Sequence, residues 1–98
     1  MKSKETANRE ETANTGAGTG PQEIVVLDRG WVYVGQVERL PDQLKIHEAK
    51  NIRRWGTTKG LGQLALEGAQ PNTVLDAVGT VIVPLRAVIH TIVCQKAL

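Results

Sequence analysis

Residues 79–94 read GTVIVPLRAVIHTIVC. The run is dominated by valine, isoleucine and threonine, whose branched side chains suit a pleated strand. Pro84 lacks the N–H that a central strand must donate. The run therefore divides into a strand at 79–83, a one-turn break over Pro84-Leu85-Arg86-Ala87, and a second strand at 88–94. Both faces of both strands are apolar. Val81 and Val83 oppose Ile82, while Ile89 and Val93 oppose Val88 and Ile92. A strand with one solvated face would alternate with polar residues, so something is expected to cover both faces.

The chain upstream also reads as β. EIVVLD at 23–28 is a short apolar strand, and Arg29-Gly30 is a turn. WVYVGQVERL at 31–40 places Trp31, Tyr33, Gly35 and Val37 on one face and Val32, Val34 and Gln36 on the other. Gly35 in mid-strand implies a bend or a close backbone approach. Pro41-Asp42 makes a hairpin turn into 43–48, where Leu44 and Ile46 point one way and Lys45 and His47 the other. Ala49 and Ile52 continue the apolar side. LGQLALEG at 61–68 is bracketed by glycine and suits one or two helical turns. Gln70-Pro71-Asn72 is a turn, TVLD at 73–76 is extended, and Asp76 reads as a turn residue.

Residues 1–22 differ in composition. ETAN occurs at 5–8 and again at 11–14, TGAGTGP follows, and the apolar side chains before Ile24 are Met1 and three alanines. Such a segment buries too little to order itself. A flexible arm at 1–22 and a single domain at 23–98 are expected, with ordering of the arm by a neighbouring subunit as the alternative. The arm holds no apolar run behind its charges, so it is not a secretory signal. No stretch is long and apolar enough to span a membrane.

The net charge of +2 is too small to argue for nucleic acid. Its distribution is more informative. Between residues 45 and 59, Lys45, Lys50, Arg53, Arg54 and Lys59 face Glu48 alone. Within this region RRWGTTKGLG at 53–62 combines cations, an aromatic ring and three glycines. It lacks the spacing of a P-loop and of a dinucleotide fingerprint. Its backbone N–H groups suit a concave anion nest, aided by a helix beginning near Leu61. Arg53, Arg54 and Lys59 supply charge, and Trp55 a stacking face. The candidate ligand site is Arg53, Arg54, Trp55, Gly56, Thr57, Thr58, Lys59 and Gly60, with Lys45, His47 and Lys50 secondary. The alternative is a basic surface turn with Trp55 packed as a lid.

Catalysis finds no constellation. His47 and His90 lie in strands with no nucleophile beside them, and the one serine, Ser3, lies in the arm. His90 suits a packed or interface position. Cys94, the single cysteine, ends an apolar strand as an inert buried thiol. A non-enzymatic protein without cofactor or metal is expected.

The order of elements resembles the Sm-like fold. YVGQV at 33–37, LKIHEA at 44–49, GTVIV at 79–83, PLRA at 84–87 and VIHTI at 88–92 match its second to fifth strands. SH3-like barrels share the break between the last two. The resemblance implies a mainly β, strongly bent five-stranded barrel with a short helical insertion. It also implies closed homo-oligomers, because the fourth and fifth strands of Sm-like rings pair between subunits. Here those strands are 79–83 and 88–94. The Asp and Asn of the Sm uridine site are absent, since Pro41-Asp42-Gln43 leads straight into Leu44. Pro84-Leu85-Arg86 stands where an Arg-Gly is usual. That pocket is not carried over.

NIRRWGTTKGLGQLA at 51–65, with TVLD at 73–76 and GTVIVPLRAVI at 79–89, resembles a family of small tailed-phage and prophage proteins. This implies a phage origin and the cytoplasm of an infected bacterial host. Together these expectations describe a phage-encoded oligomeric binder of RNA or of a small nucleotide defence signal. The alternative is a phage structural or assembly protein with no small ligand.

Overall fold

The computed structural model describes residues 20–98. The chain forms β1 (Glu23–Leu27), β2 (Val32–Arg39), β3 (Gln43–Arg54), α1 (Leu61–Glu67), β4 (Val74–Pro84) and β5 (Val88–Val93). The five strands make one antiparallel sheet in the order β4-β3-β2-β1-β5. The mainly β class, the strand count, the short helix and the break after Pro84 are as the sequence implies. Pro84 is tolerated because β4 is an edge strand.

Two strands are longer than expected. β3 continues past Glu48 to Arg54, and Glu48 itself adopts a positive φ of 52° within a bulge. β4 joins the expected stretches 73–76 and 79–83 into one strand, Val74–Pro84, in which Gly79 has a φ of 84°. Asp76, expected in a turn, is a strand residue opposite Asn51.

The sheet has a core on each side. Val25, Leu27, Leu44, Ile46, Ala49 and Val83 form the inner core, with Tyr33, Val37, Val81 and Val88 packed against it. Ile24, Val32, Val34 and Ile52 form the outer one, covered by Leu64 and Ala65 of α1 and by Cys94 and Leu98 of the tail. Ala49 and Ile52, expected on one side, fall on opposite sides. The bend follows from Gly35: a Cβ there would lie 2.6 Å from the His47 carbonyl oxygen and 2.6 Å from Ile46 Cγ2.

The sheet of the expected five-stranded barrel is not closed. β4 and β5 are the two edges of an open sheet and do not pair. Only Leu85–Ala87, one 3-10 turn, joins them. Three residues span at most roughly 10 Å, so the sheet must roll until its edges meet at that point, and Val83 and Val88 share the inner core. From there β5 runs along β1, from Val88 opposite Leu27 to Val93 opposite Glu23. Among the described residues, neither edge pairs with a further strand. Ile82, Ile89 and Val93 are 56%, 60% and 50% exposed, so the second apolar face of these strands is not covered within the described part of the chain.

Most of the expected arm lies outside the described residues. Gln22, expected to belong to it, is tied into the domain: its carbonyl accepts from Cys94 N at 2.8 Å and its side-chain oxygen from Leu98 N at 2.5 Å. Among the described residues no helix is long and apolar enough to cross a membrane.

Candidate functional site at the far end of β3

The basic loop leaves β3 at the end opposite the Pro41-Asp42 turn. Its start is shaped by a bulge. Ile52 stands opposite Leu75 and Arg54 opposite Val74, so one step on β4 is matched by two on β3. Arg54 thereby takes the side of Val74, which is also the side of Asp76 two residues on. Arg53 bonds Asp76 directly, Nε donating to Oδ2 at 2.6 Å and Nη2 to Oδ1 at 3.5 Å. The two arginines are thus brought to one side of the sheet. Hydrogen bonding to Asp76, and then its charge, raise the Arg53 pKa above its ordinary value. Nη1 of Arg53 and the whole guanidinium of Arg54 make no hydrogen bond to the described residues.

Beyond Arg54 the loop is stapled to the turn before β4. Thr73 Oγ1 donates to the Trp55 carbonyl at 2.7 Å and accepts from Gln70 N at 2.8 Å. Gly56 has a φ of 65°, and a Cβ there would lie 2.3 Å from the Asn72 carbonyl carbon. No other residue fits. Trp55 is 43% exposed and is not a buried lid. Lys59 is exposed, and its side chain makes no hydrogen bond to the described residues.

The nest expected in this loop exists but is filled from within. The backbone N–H groups of Thr58 and Lys59 converge on Gln63 Oε1 at 3.0 and 2.9 Å, and Thr58 Oγ1 lies 3.4 Å from the same atom. A neutral amide oxygen stands where an anion was expected. Gly60 (φ 85°, ψ −169°) and Gly68 (φ 88°, ψ −173°) start and stop α1 in backbone regions essentially reserved for glycine. The helix has seven residues, too short for a macrodipole argument of its own.

The secondary candidates lie elsewhere. His47 Nε2 is 2.8 Å from Glu38 Oε1. Lys45 faces Glu38 across β2–β3 and Ile82 across β3–β4. Lys50 Nζ donates to the main-chain oxygen of Leu98 at 2.5 Å. None joins the loop. His90 is exposed on β5, not packed. Cys94 is buried, and burial first, then the charge of Glu23, raises its thiol pKa. That suits the inert role expected of it.

Sequence reasoning missed the row beside the arginines. Tyr33 faces Asn51, and Asn51 faces Asp76, across three adjacent strands. Trp31 stacks on Tyr33, with ring centroids 6.4 Å apart and planes inclined by 9°. The shared face of Trp31 and Tyr33 was legible. Its neighbours were not, because they depend on register and on the bulge at Arg53. No protein-family model, curated protein or solved structure matches the chain.

Proposed function

We propose that the protein is a non-enzymatic, self-associating, phage-encoded binder of nucleotide-type anions, acting in the cytoplasm of the infected host on RNA or on a small nucleotide defence signal. One observation carries the binding half of this reading. The β3 bulge gathers Arg53 and Arg54 on one side of the sheet, next to a Trp55 that remains exposed in a loop held by Thr73 and Gln63. Cations beside an exposed aromatic ring suit a ligand that is both charged and flat. Because Gln63 fills the backbone nest, side chains carry the charge recognition: Arg54 and Lys59 with their whole charged groups, and Arg53 with Nη1.

Titration with ATP and with hexauridylate, at several salt concentrations, tests this. Replacing Arg54 and Lys59 by alanine should weaken binding and flatten its salt dependence, since fewer counterions are released. Affinity that is absent, or unchanged in this double variant, overturns the reading. The assembly alternative rests on a different observation, the exposed apolar edges of β4 and β5. It gains if neither probe binds while the chain still self-associates.

A further inference from the structure

We propose that the exposed ring of Trp31 is a second base-stacking platform of the site besides Trp55, receiving the aromatic base of a nucleotide whose phosphates reach Arg53 and Arg54. This inference rests on the nucleotide-binding reading and adds a subsite outside the loop. Trp31 is 56% exposed, more than Trp55. A tryptophan placed only for packing would bury most of its large apolar surface. Instead its ring lies nearly parallel to that of Tyr33, which is itself packed against the inner core. Tyr33 therefore anchors the pair and Trp31 presents it.

The ladder places the cations. Tyr33 pairs with Asn51. The strands run antiparallel, so Trp31, two residues before Tyr33, lies towards the end of β3 that carries Arg53 and Arg54. Asp76 fixes the Arg53 guanidinium side-on through Nε and Nη2, leaving Nη1 for a ligand. Arg54 stands on the same side through its pairing with Val74. An apolar protein partner would gain nothing from two guanidinium groups here, and a bare phosphate nothing from a stacked ring pair. An aromatic ring joined to phosphate uses both.

The experiment compares ATP with inorganic tripolyphosphate, which carries the charge without the base, on the full chain. Trp31→Leu stays apolar but loses the flat ring. It should weaken ATP by roughly 5- to 150-fold, the range for one lost base stack, and leave tripolyphosphate binding unchanged. Trp31→Phe should keep most of the preference for ATP. A parallel arm with hexauridylate separates the two sources: tighter binding than ATP, lost to the same variant, assigns the platform to RNA, and the reverse order to a small nucleotide. Equal ATP affinity in wild type and Trp31→Leu overturns this inference alone. So does a variant that loses both probes together with its assembly mass, because Trp31 is then a subunit contact. Failure of the wild type to bind any probe overturns both this inference and the nucleotide-binding reading.

Discussion

The side-chain oxygen of Gln63 lies 2.9 Å from the backbone nitrogen of Lys59. It accepts from Thr58 N as well, so the loop carries its own neutral substitute for an anion. Gln63→Glu should place a negative charge in the nest. It should weaken nucleotide binding several-fold through repulsion of about 1 kcal/mol, while leaving the loop folded. Gln63→Ala removes the shared acceptor and should lower stability by about 1 kcal/mol. Calorimetric titration and thermal melting of the two variants check this. Unchanged affinity in Gln63→Glu would place the ligand away from the loop.

Gly56 is a second point of control. Its φ is positive, and a Cβ added there would lie 2.3 Å from the Asn72 backbone, which leaves no room for a side chain. Gly56→Ala should destabilise the fold by about 1–3 kcal/mol through strain and overpacking. The loop would separate from the 70–73 turn, breaking the bond from Thr73 Oγ1 to Trp55. A melting temperature equal to wild type would show that this contact is not held in solution.

Acid stability is governed in part at the bend of β2. Arg39 grips Glu23 through both nitrogens, Nη1 to Oε2 at 2.9 Å and Nη2 to Oε1 at 2.6 Å. Hydrogen bonding to Arg39 lowers the Glu23 pKa, burial opposes the shift, and the Arg39 charge and Thr91 add to the lowering. A carboxylate whose folded pKa is depressed contributes stability above its unfolded pKa of about 4.3. That contribution is lost as pH falls through the lower folded value. With Arg39 half-exposed, it should amount to about 1 kcal/mol or less. Glu23→Gln should therefore be less stable than wild type at neutral pH, and the gap should close on acidification below about pH 4. A gap that stays constant with pH would assign the effect to packing.

The sequence was most legible where a side-chain type alone constrains the backbone. Pro84 placed the break, Gly35 the bend, and alternation along 43–48 the buried face. Closure was not legible, because whether β4 meets β5 depends on how far a sheet rolls and not on the pattern of either strand. The site was legible in part. Composition singled out 53–62, but the partner of Arg53 is Asp76, which follows from a register that shifts by one residue at a bulge. The row Tyr33, Asn51 and Asp76 depends on strand register in the same way. Gln63 was hidden for a different reason: its spacing assigns it to a helix, while its side chain turns back into the loop.

The open edges carry the last expectation. Among the described residues no further strand pairs with the outer edges of β4 and β5, whose exposed residues include Val78, Ile82, Ile89 and Val93. Long apolar edges of this kind template strand addition, and proteins that stay monomeric blunt them with charge. Here no Lys or Arg lies on β4, and His90 is the one basic side chain of β5. Pairing the β4 edge of one copy with the β5 edge of the next uses two different surfaces, which closes into a ring when the rotation per subunit allows it. The chain should therefore sediment and scatter light as a discrete oligomer. Ile82→Lys and Ile89→Lys place a charge on opposite edges, so each alone should reduce the mass towards that of a monomer. Both positions are exposed in the single chain, so neither change should lower its own melting temperature by more than a few degrees. A wild-type monomer at micromolar concentration would refute edge pairing outright, and an oligomer indifferent to both lysines would move the interface to another surface.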